Sequence, residues 1–298
     1  MTVLQGIILG VVQGIAEFLP ISSSGHLQLI QTLFGLEEVP LLYDVFLHLA
    51  TLFAVCIYFR QRIWKLLKIF GRWISKKERR EAVDEEDFLC GSDEAGRKTI
   101  IAIIITTAIT GAIGIVTSKL IPDLSIKYVC AGFIITAILL IVSFLISRKR
   151  ENQPVAGKGK LEVAESGSVA GSSSAKGISI IQSVIIGFMQ GFGTLPGISR
   201  SGSTIAGALF SKLDAKSAGD YSFIVSIPAI LGAFILELKD LAEVSSSVGF
   251  WPVFAGCLAA FIVGYFSLSV LMKLIYRGKI VWFSAYLIPL GIAGLILL

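Results

Sequence analysis

Long runs of apolar residues, separated by polar segments, cover most of the chain. A helix needs about 20 apolar residues to cross the hydrocarbon core of a bilayer, and six of the runs approach or exceed that length. They lie at about 41–59, 99–118, 126–147, 219–238, 250–272 and 281–298. The pattern therefore predicts an all-α polytopic membrane protein.

Two further apolar stretches are interrupted before they are long enough to cross. The first covers about 2–36 and breaks at Pro20, and the second covers about 178–212 and breaks at Pro196 to Gly202. Non-helical backbone at membrane depth is tolerated only where protein buries it or where it faces a water-filled cavity. Each stretch therefore predicts a re-entrant helical hairpin, and we expect the two tips to meet near the membrane midplane.

The two hairpins follow one pattern, which indicates a duplication. A constant offset of 177 residues aligns Gln13 with Gln190 and Ser24-Gly25 with Ser201-Gly202. The chain then divides into a first repeat over 1–150, a polar Gly/Ser/Ala-rich linker over 151–177 and a second repeat over 178–298. Each repeat holds one hairpin and three spans. Because an odd number of spans reverses the second copy, the sequence predicts an inverted-topology repeat.

The basic residues lie between the apolar runs and predict the orientation of the chain. The protein is 54% hydrophobic and 16% charged, with a net charge of +5 and a mean hydropathy of +0.81. Lys and Arg are absent before Arg60 and frequent in 60–98 and 148–177. The positive-inside rule therefore places these two segments inside and both termini outside. Because topology accounts for the basic residues, we expect no binding to nucleic acid.

The tip of the first hairpin combines an acid, hydroxyl groups and a histidine. Gln13 and Glu17 are four residues apart and share one helix face. A carboxylate at membrane depth is costly and usually functional, so Glu17 is a candidate general acid/base or divalent-metal ligand. The segment Ser22 to His26 opens a second helix, whose first N–H groups suit an anion such as phosphate, and His26 suits proton transfer. The structural alternatives are a hydrogen-bonding Glu17 and a simple capping cluster.

The second tip adds a fixed positive charge. Arg200 is permanently charged, and its planar donors match phosphate oxygens. Hydroxyl-bearing residues and a glycine surround it: Ser199, Ser201, Gly202 and Thr204. We expect a phosphoryl group to bind between the tips, with a resting Glu17–Arg200 salt bridge as the structural alternative.

Other residues in the apolar segments are expected to be structural. Gly6, Gly10 and Gly14 recur every four residues, as do Ser183, Gly187 and Gly191. Small residues at this spacing let membrane helices approach closely, and we expect them to bring the two hairpins together. His48 lies four residues after Asp44 in a predicted span, where a buried histidine with satisfied hydrogen bonds is expected.

These motifs resemble the undecaprenyl-diphosphate phosphatase family, the membrane enzymes associated with bacitracin resistance. The (E/Q)xxxE pattern appears as Gln13 to Glu17, PISSSGH follows at 20–26, and the PGxSRSxxT pattern appears at 196–204. The resemblance covers essentially the whole chain. Gln13 stands where some members have Glu, which leaves Glu17 as the sole acid of that motif.

The resemblance implies an enzyme that hydrolyses a polyprenyl diphosphate to the monophosphate and inorganic phosphate, recycling the lipid carrier for cell-wall synthesis. It also implies a divalent cation (Mg²⁺ or Ca²⁺), the cytoplasmic (inner) membrane and a site that opens to the outer face. The family's functional positions are matched by Glu17, Ser22, Ser23, His26, Ser199, Arg200 and Thr204.

These expectations give each residue a role. The catalytic candidates are Glu17, Ser23, His26 and Arg200, with Glu17 also the candidate metal ligand. The candidates for substrate binding are Gln13, Ser22, Ser24, Gly25, Ser199, Ser201, Gly202 and Thr204. The nucleophile stays open between Ser23, His26 and water. Two further hypotheses are a homodimer and, as an alternative function, a lipid-phosphate flippase or anion transporter that uses the same site.

Overall fold

The computed structural model describes residues 1–36, 41–76, 84, 87–120, 125–151, 177–237 and 249–297. Over these residues the regular structure is helical, which confirms the predicted all-α class. The helices are α1 (Val3–Ala16), α2 (Ser23–Leu33), α3 (Leu41–Tyr58), α4 (Arg60–Ser75), α5 (Asp93–Leu120), α6 (Ile126–Glu151), α7 (Ile180–Phe192), α8 (Arg200–Phe210), α9 (Ala215–Glu237), α10 (Phe250–Tyr276), a 3₁₀ turn (Ile280–Phe283) and α11 (Ser284–Leu297). The predicted linker at 151–177 lies, except for its two ends, outside the described residues.

Five of the predicted membrane spans correspond to helices of sufficient length and hydropathy within the described ranges. They are α5, α6, α9, α10 and the 3₁₀ turn joined to α11. The remaining span, α3, passes the same test only together with α4, from which it is bent by 77°. The sequence reasoning treated the start of the 60–98 segment as a charged loop. The structure instead forms a 16-residue helix there, α4.

Each predicted hairpin is a pair of short helices, and the two pairs begin in the same way. Thr2 caps α1 in a capping box with Gln5, and Ser179 caps α7 in a capping box with Gln182. Such a box satisfies two backbone N–H groups that the first helical turn leaves without partners. The second helix of each pair starts one residue after a serine N-cap. The caps therefore recur at the offset seen in the sequence, although Ser22 has a φ of +70° and Ser199 one of −74°.

The glycine stripes pack as predicted, but against long helices instead of against each other. A Cβ added to Gly6 would lie 2.5 Å from the carbonyl oxygen of Pro252, and one added to Gly14 would lie 2.8 Å from that of Ala260. On α7, the Thr106 hydroxyl of α5 donates a 2.9 Å hydrogen bond to the carbonyl oxygen of Ser183. The expectation that the stripes join the hairpins directly is wrong, because their shallow surfaces accept the ridges of α10 and α5.

The helix pairs that result correspond to one another under the duplication. Helix α1 of the first half packs on α10 of the second, and α7 of the second half packs on α5 of the first. In the same way, α3 contacts α10 and α9 contacts α5. Each half therefore completes the packing of the other. The inverted direction of the two halves stays a prediction.

Candidate active site between the hairpin tips

Glu17 is the point at which the two hairpins meet. It follows the last turn of α1, and its side chain is only 2% exposed. One carboxylate oxygen accepts hydrogen bonds from Ser23 Oγ at 2.7 Å and from Gln13 Nε2 at 3.0 Å. The other oxygen forms an ion pair with the Arg200 guanidinium. An acid buried this deeply requires such partners, because an isolated carboxylate away from water is very costly.

Ser23 and Arg200 occupy equivalent positions in the two copies. Ser22 Oγ caps α2 by accepting a hydrogen bond from the backbone N–H of Gly25, and Ser199 Oγ caps α8 by accepting one from Gly202. Ser23 and Arg200 are then the first residues of their helices. The first residues of two equivalent helices therefore contact the same carboxylate, each at a different oxygen.

Helix α6 supports both tips. A Cβ added to Gly25 would lie 2.6 Å from the ring of Phe133, and one added to Gly132 would lie 2.6 Å from the backbone of Gly197. Gly197 has a φ of +86°, a conformation that favours glycine. The backbone N–H of Ser199 donates to Thr136 Oγ1 at 2.9 Å. These contacts fix the relative position of the two helix starts.

His26 is held by hydrogen bonds at both ring nitrogens. Nδ1 lies 2.8 Å from the carbonyl oxygen of Ser22, so it carries a proton and donates. Nε2 lies 2.8 Å from the Tyr286 hydroxyl of α11. The hydroxyl that contacts Nε2 thus comes from a tyrosine and not from a serine of the hairpin tip. Sequence reasoning missed Tyr286, because it is 260 residues away in the chain and stands in an ordinary apolar span.

His48 belongs to the same cluster. Its Nε2 lies 3.5 Å from the Glu17 carboxylate, and its side chain is 32% exposed. Nδ1 lies 2.7 Å from the Asp44 carbonyl oxygen one turn earlier and donates to it. The prediction that this histidine is buried is therefore wrong, whereas the predicted hydrogen bond is present at Nδ1. Its structural role stays a prediction. The sequence does place a histidine four residues after an acid in a span. This spacing shows that the two residues share a helix face, but it does not show which helix packs against that face.

The predicted hydroxyls of the second tip lie inside the protein. Ser199 is 1%, Ser201 5% and Thr204 1% exposed. The Ser199 and Ser201 hydroxyls lie 3.2 Å apart, and Thr204 Oγ1 donates to the carbonyl oxygen of Arg200 at 2.7 Å. In this conformation these residues position Arg200. By contrast, Ser23 is half-buried and Ser24 exposed at the first tip. Direct substrate contacts by the second-tip hydroxyls stay a prediction.

The candidate oxygen ligands for the predicted cation lie on α1 and at its end. Gln13 Oε1 is buried and has no hydrogen-bond partner, and the Glu17 carboxylate is beside it. Within the described residues, no group of three or more His, Cys, Asp and Glu side chains is arranged around a metal position. Mg²⁺ is commonly bound through one or two carboxylates together with water and substrate phosphates. One acid and one amide oxygen fit a cation shared with a phosphorylated substrate.

The fold and the site together define a polytopic membrane protein with a buried acid–arginine–serine cluster between two re-entrant hairpins. The model of the family "Bacitracin resistance protein BacA" matches residues 6–293, and the chain belongs to that family.

Relatives of nearly full length carry the name undecaprenyl-diphosphatase. The protein of that name from Treponema denticola is 43% identical over 292 residues, which are 98% of this chain and 96% of the relative. Those from Carboxydothermus hydrogenoformans and Borrelia recurrentis are each 35% identical, over 98% and 96% of this chain and 96% and 95% of the relative, respectively. The family match confirms the resemblance that the two motifs predicted.

Proposed function

We propose that this chain is an undecaprenyl-diphosphate phosphatase that removes the terminal phosphate of a polyprenyl diphosphate embedded in the bilayer. The observation that carries the proposal is the convergence of Ser23 and Arg200 on Glu17. It joins a hydroxyl nucleophile, a proton acceptor and a phosphate-binding cation. The name shared by the near full-length relatives supports the same activity and does not favour the flippase or transporter alternative.

Arg200 is the group that binds the terminal phosphoryl. At rest its guanidinium pairs with Glu17, and its side chain is 20% exposed, so the incoming anion reaches it from the open side. A guanidinium has enough N–H donors to contact a carboxylate and phosphate oxygens at once. Its fixed charge then stabilises the negative charge that shifts during phosphoryl transfer. The first backbone N–H groups of α8 would add to this binding.

Ser23 supplies the attacking oxygen, and Glu17 accepts its proton along the hydrogen bond already formed at 2.7 Å. The Ser23 oxygen bonds to the terminal phosphorus while the bond from that phosphorus to the bridging oxygen breaks. The electron pair of this bond leaves with the polyprenyl monophosphate. Water then attacks the phosphoserine, releases inorganic phosphate and restores the Ser23 hydroxyl.

His26 and His48 are the two further residues that we assign to proton transfer and charge stabilisation. His26 lies in the first turn of α2, three residues after Ser23, and its Nε2 contacts the Tyr286 hydroxyl; in the proposed reaction this pair protonates the departing phosphate oxygen. His48 lies close enough to Glu17 to stabilise its negative charge.

A divalent cation, Mg²⁺ or Ca²⁺, would be held by Glu17 and by the partnerless Gln13 Oε1. When bound there, the ion would neutralise part of the diphosphate charge. Arg200 and the ion would then each neutralise part of the diphosphate charge. Glu17 would remain close to Ser23.

The proposed location is the cytoplasmic membrane of a bacterium, with the site and both termini open to the outer face. The absence of Lys and Arg before Arg60 supports this orientation. The prenyl chain would remain in the lipid while the diphosphate enters between the tips. A homodimer stays a prediction.

Phosphate release from undecaprenyl diphosphate by the purified protein in detergent tests the proposal, because no transport is possible there. We expect release with Mg²⁺ or Ca²⁺ and its loss in Ser23→Ala and Arg200→Ala proteins. An exposed basic residue at the end of α10, changed by Arg277→Ala, is the control and should retain full activity. Trapped phosphoserine at position 23 would support the covalent route. Activity in Ser23→Ala protein would assign the attack to water, and activity in Arg200→Ala protein would refute the proposed site.

A further inference from the structure

Helix α4 is the most basic helix of the described structure and takes no part in the proposed reaction. It begins directly after α3 and is turned from it by 77°. Its sequence, RQRIWKLLKIFGRWIS, contains five basic residues and no acidic one. Because α3 is apolar and belongs in the hydrocarbon core, a turn of this size directs α4 along the membrane surface.

The side chains of α4 divide into three faces. Leu66 and Ile69 are buried, at 6% and 2% exposure, and Ile69 packs against Gly96 of α5. This face attaches the helix to the protein. A second face is apolar and uncovered, and its members are 42–68% exposed: Trp64, Leu67, Phe70 and Ile74. Their spacing of three and four residues places them in one stripe along the helix.

The third face is polar and lies roughly opposite the apolar stripe. It contains Gln61, Lys65 and Lys68, all of them exposed. Of the other basic residues of α4, Arg60 is exposed at the start of the helix, whereas Arg62 and Arg72 form ion pairs with Asp220 and Asp93. Lys65 lies 3.6 Å from both Asp84 and Asp87. The protein-facing residues are between the two stripes on one flank. When α4 lies along the membrane surface, its apolar stripe therefore faces the lipid and its polar side faces the water.

This arrangement determines what covers the apolar stripe. Helices with a basic face and with Trp, Phe and Leu on the other lie in the bilayer interface and are attracted to anionic lipids. We propose that α4 is an interfacial helix that inserts its apolar stripe into one leaflet and binds anionic phospholipid headgroups along its basic side. The distribution of basic residues predicts that this is the cytoplasmic leaflet. The inference depends on membrane embedding and not on the phosphatase activity.

The depth of Trp64 tests the insertion. The full-length chain, with its other tryptophans replaced by phenylalanine so that Trp64 alone remains, is reconstituted in vesicles of phosphatidylcholine and phosphatidylglycerol. Phospholipids brominated near the headgroup should quench its fluorescence more strongly than those brominated near the chain end. The difference in quenched fluorescence between wild-type and Trp64→Phe protein also gives the quenching of Trp64, without replacing the other tryptophans. Absence of quenching at every depth would mean that water, a second copy or another protein covers the stripe, and would overturn the proposal.

Lipid preference tests the charge recognition. Brominated phosphatidylglycerol in a phosphatidylcholine background should quench Trp64 several-fold more than brominated phosphatidylcholine in the reverse mixture. This preference should fall as salt is raised and should fall several-fold in an Arg60→Gln/Lys68→Gln double variant. The matched control removes two exposed basic residues at the end of α10, Lys273→Gln/Lys279→Gln, and should leave the preference unchanged. Equal quenching by both lipids, or an equal effect of both double variants, would refute specific recognition by α4.

Discussion

The ion pair between Arg200 and Glu17 predicts that catalysis and stability separate in a double variant. Arg200→Ala removes the cation beside a carboxylate that is 2% exposed. Glu17→Gln removes the charge and keeps nearly the same shape. In the protein that carries both changes, no unpaired charge remains between the tips.

The expected loss of stability follows from the contacts that Glu17 keeps when Arg200 is removed. Breaking a buried pair by removing one partner typically costs about 3–5 kcal/mol. In Arg200→Ala protein, Glu17 retains hydrogen bonds from Ser23 at 2.7 Å and Gln13 at 3.0 Å. We therefore expect a cost at or just below the lower end of this range, about 2–3 kcal/mol, equivalent to a decrease of roughly 4–10 °C in Tm. Replacing both members by uncharged groups should recover most of this loss, because the desolvation cost of the pair also disappears.

Activity, unlike stability, should not recover in the double variant. A phosphate-contacting arginine contributes about 10³-fold or more in related phosphoryl transfers, so Arg200→Ala and the double variant should both lose at least that much phosphate release. The assays are thermal unfolding in detergent and phosphate release from undecaprenyl diphosphate, with Arg277→Ala as the exposed control. A double variant as unstable as Arg200→Ala, or one that regains activity together with stability, would refute the reasoning.

Three further predictions concern the surroundings of this pair. Gly10→Ala would push a Cβ against the backbone carbonyl of α10 and should cost about 1–3 kcal/mol, whereas Gly111→Ala, with open space around it, should be neutral or slightly stabilising in the same thermal unfolding measurement. Tyr286→Phe removes the hydroxyl beside His26 Nε2 and should lower kcat about tenfold with unchanged Tm; an unchanged kcat would contradict the proton pathway. Gln13→Leu removes the partnerless oxygen and should raise the Mg²⁺ concentration for half-maximal activity, measured after chelation with EDTA; an unchanged requirement would exclude this ligand.

The sequence predicts the fold well where the physical signal is periodic or duplicated. The long apolar runs correctly indicated the spanning helices, because crossing a bilayer demands about 20 apolar residues whatever the tertiary packing. The constant offset of 177 residues relates the serine caps that the structure shows at positions 22 and 199. Helix α4 was missed because its apolar and basic residues alternate at helical spacing, which gives a low average hydropathy and resembles a charged loop.

The site was predicted less completely, because its members come from helices far apart in the chain. The two motifs identified Glu17, Ser23 and Arg200, which the fold does bring into contact. His48 and Tyr286 come from α3 and α11. Periodicity indicates that a side chain shares a face with its neighbours but does not identify the helix opposite that face. Only packing places these two residues at the hairpin tips.

Divergence between the two copies explains why neither hairpin forms a site alone. Thr194 stands where the first copy has Glu17, and its hydroxyl donates locally to the carbonyl oxygen of Gly191 at 2.7 Å. Gln190, the counterpart of Gln13, bonds Thr110 and Thr204 instead of a carboxylate. The second copy therefore has no acid to hold the arginine at its own helix start. Since Arg200 needs an anionic partner at this depth, it pairs across the duplication with Glu17, which binds Ser23 through its other oxygen. The same requirement favours a phosphate as the second anionic ligand of Arg200.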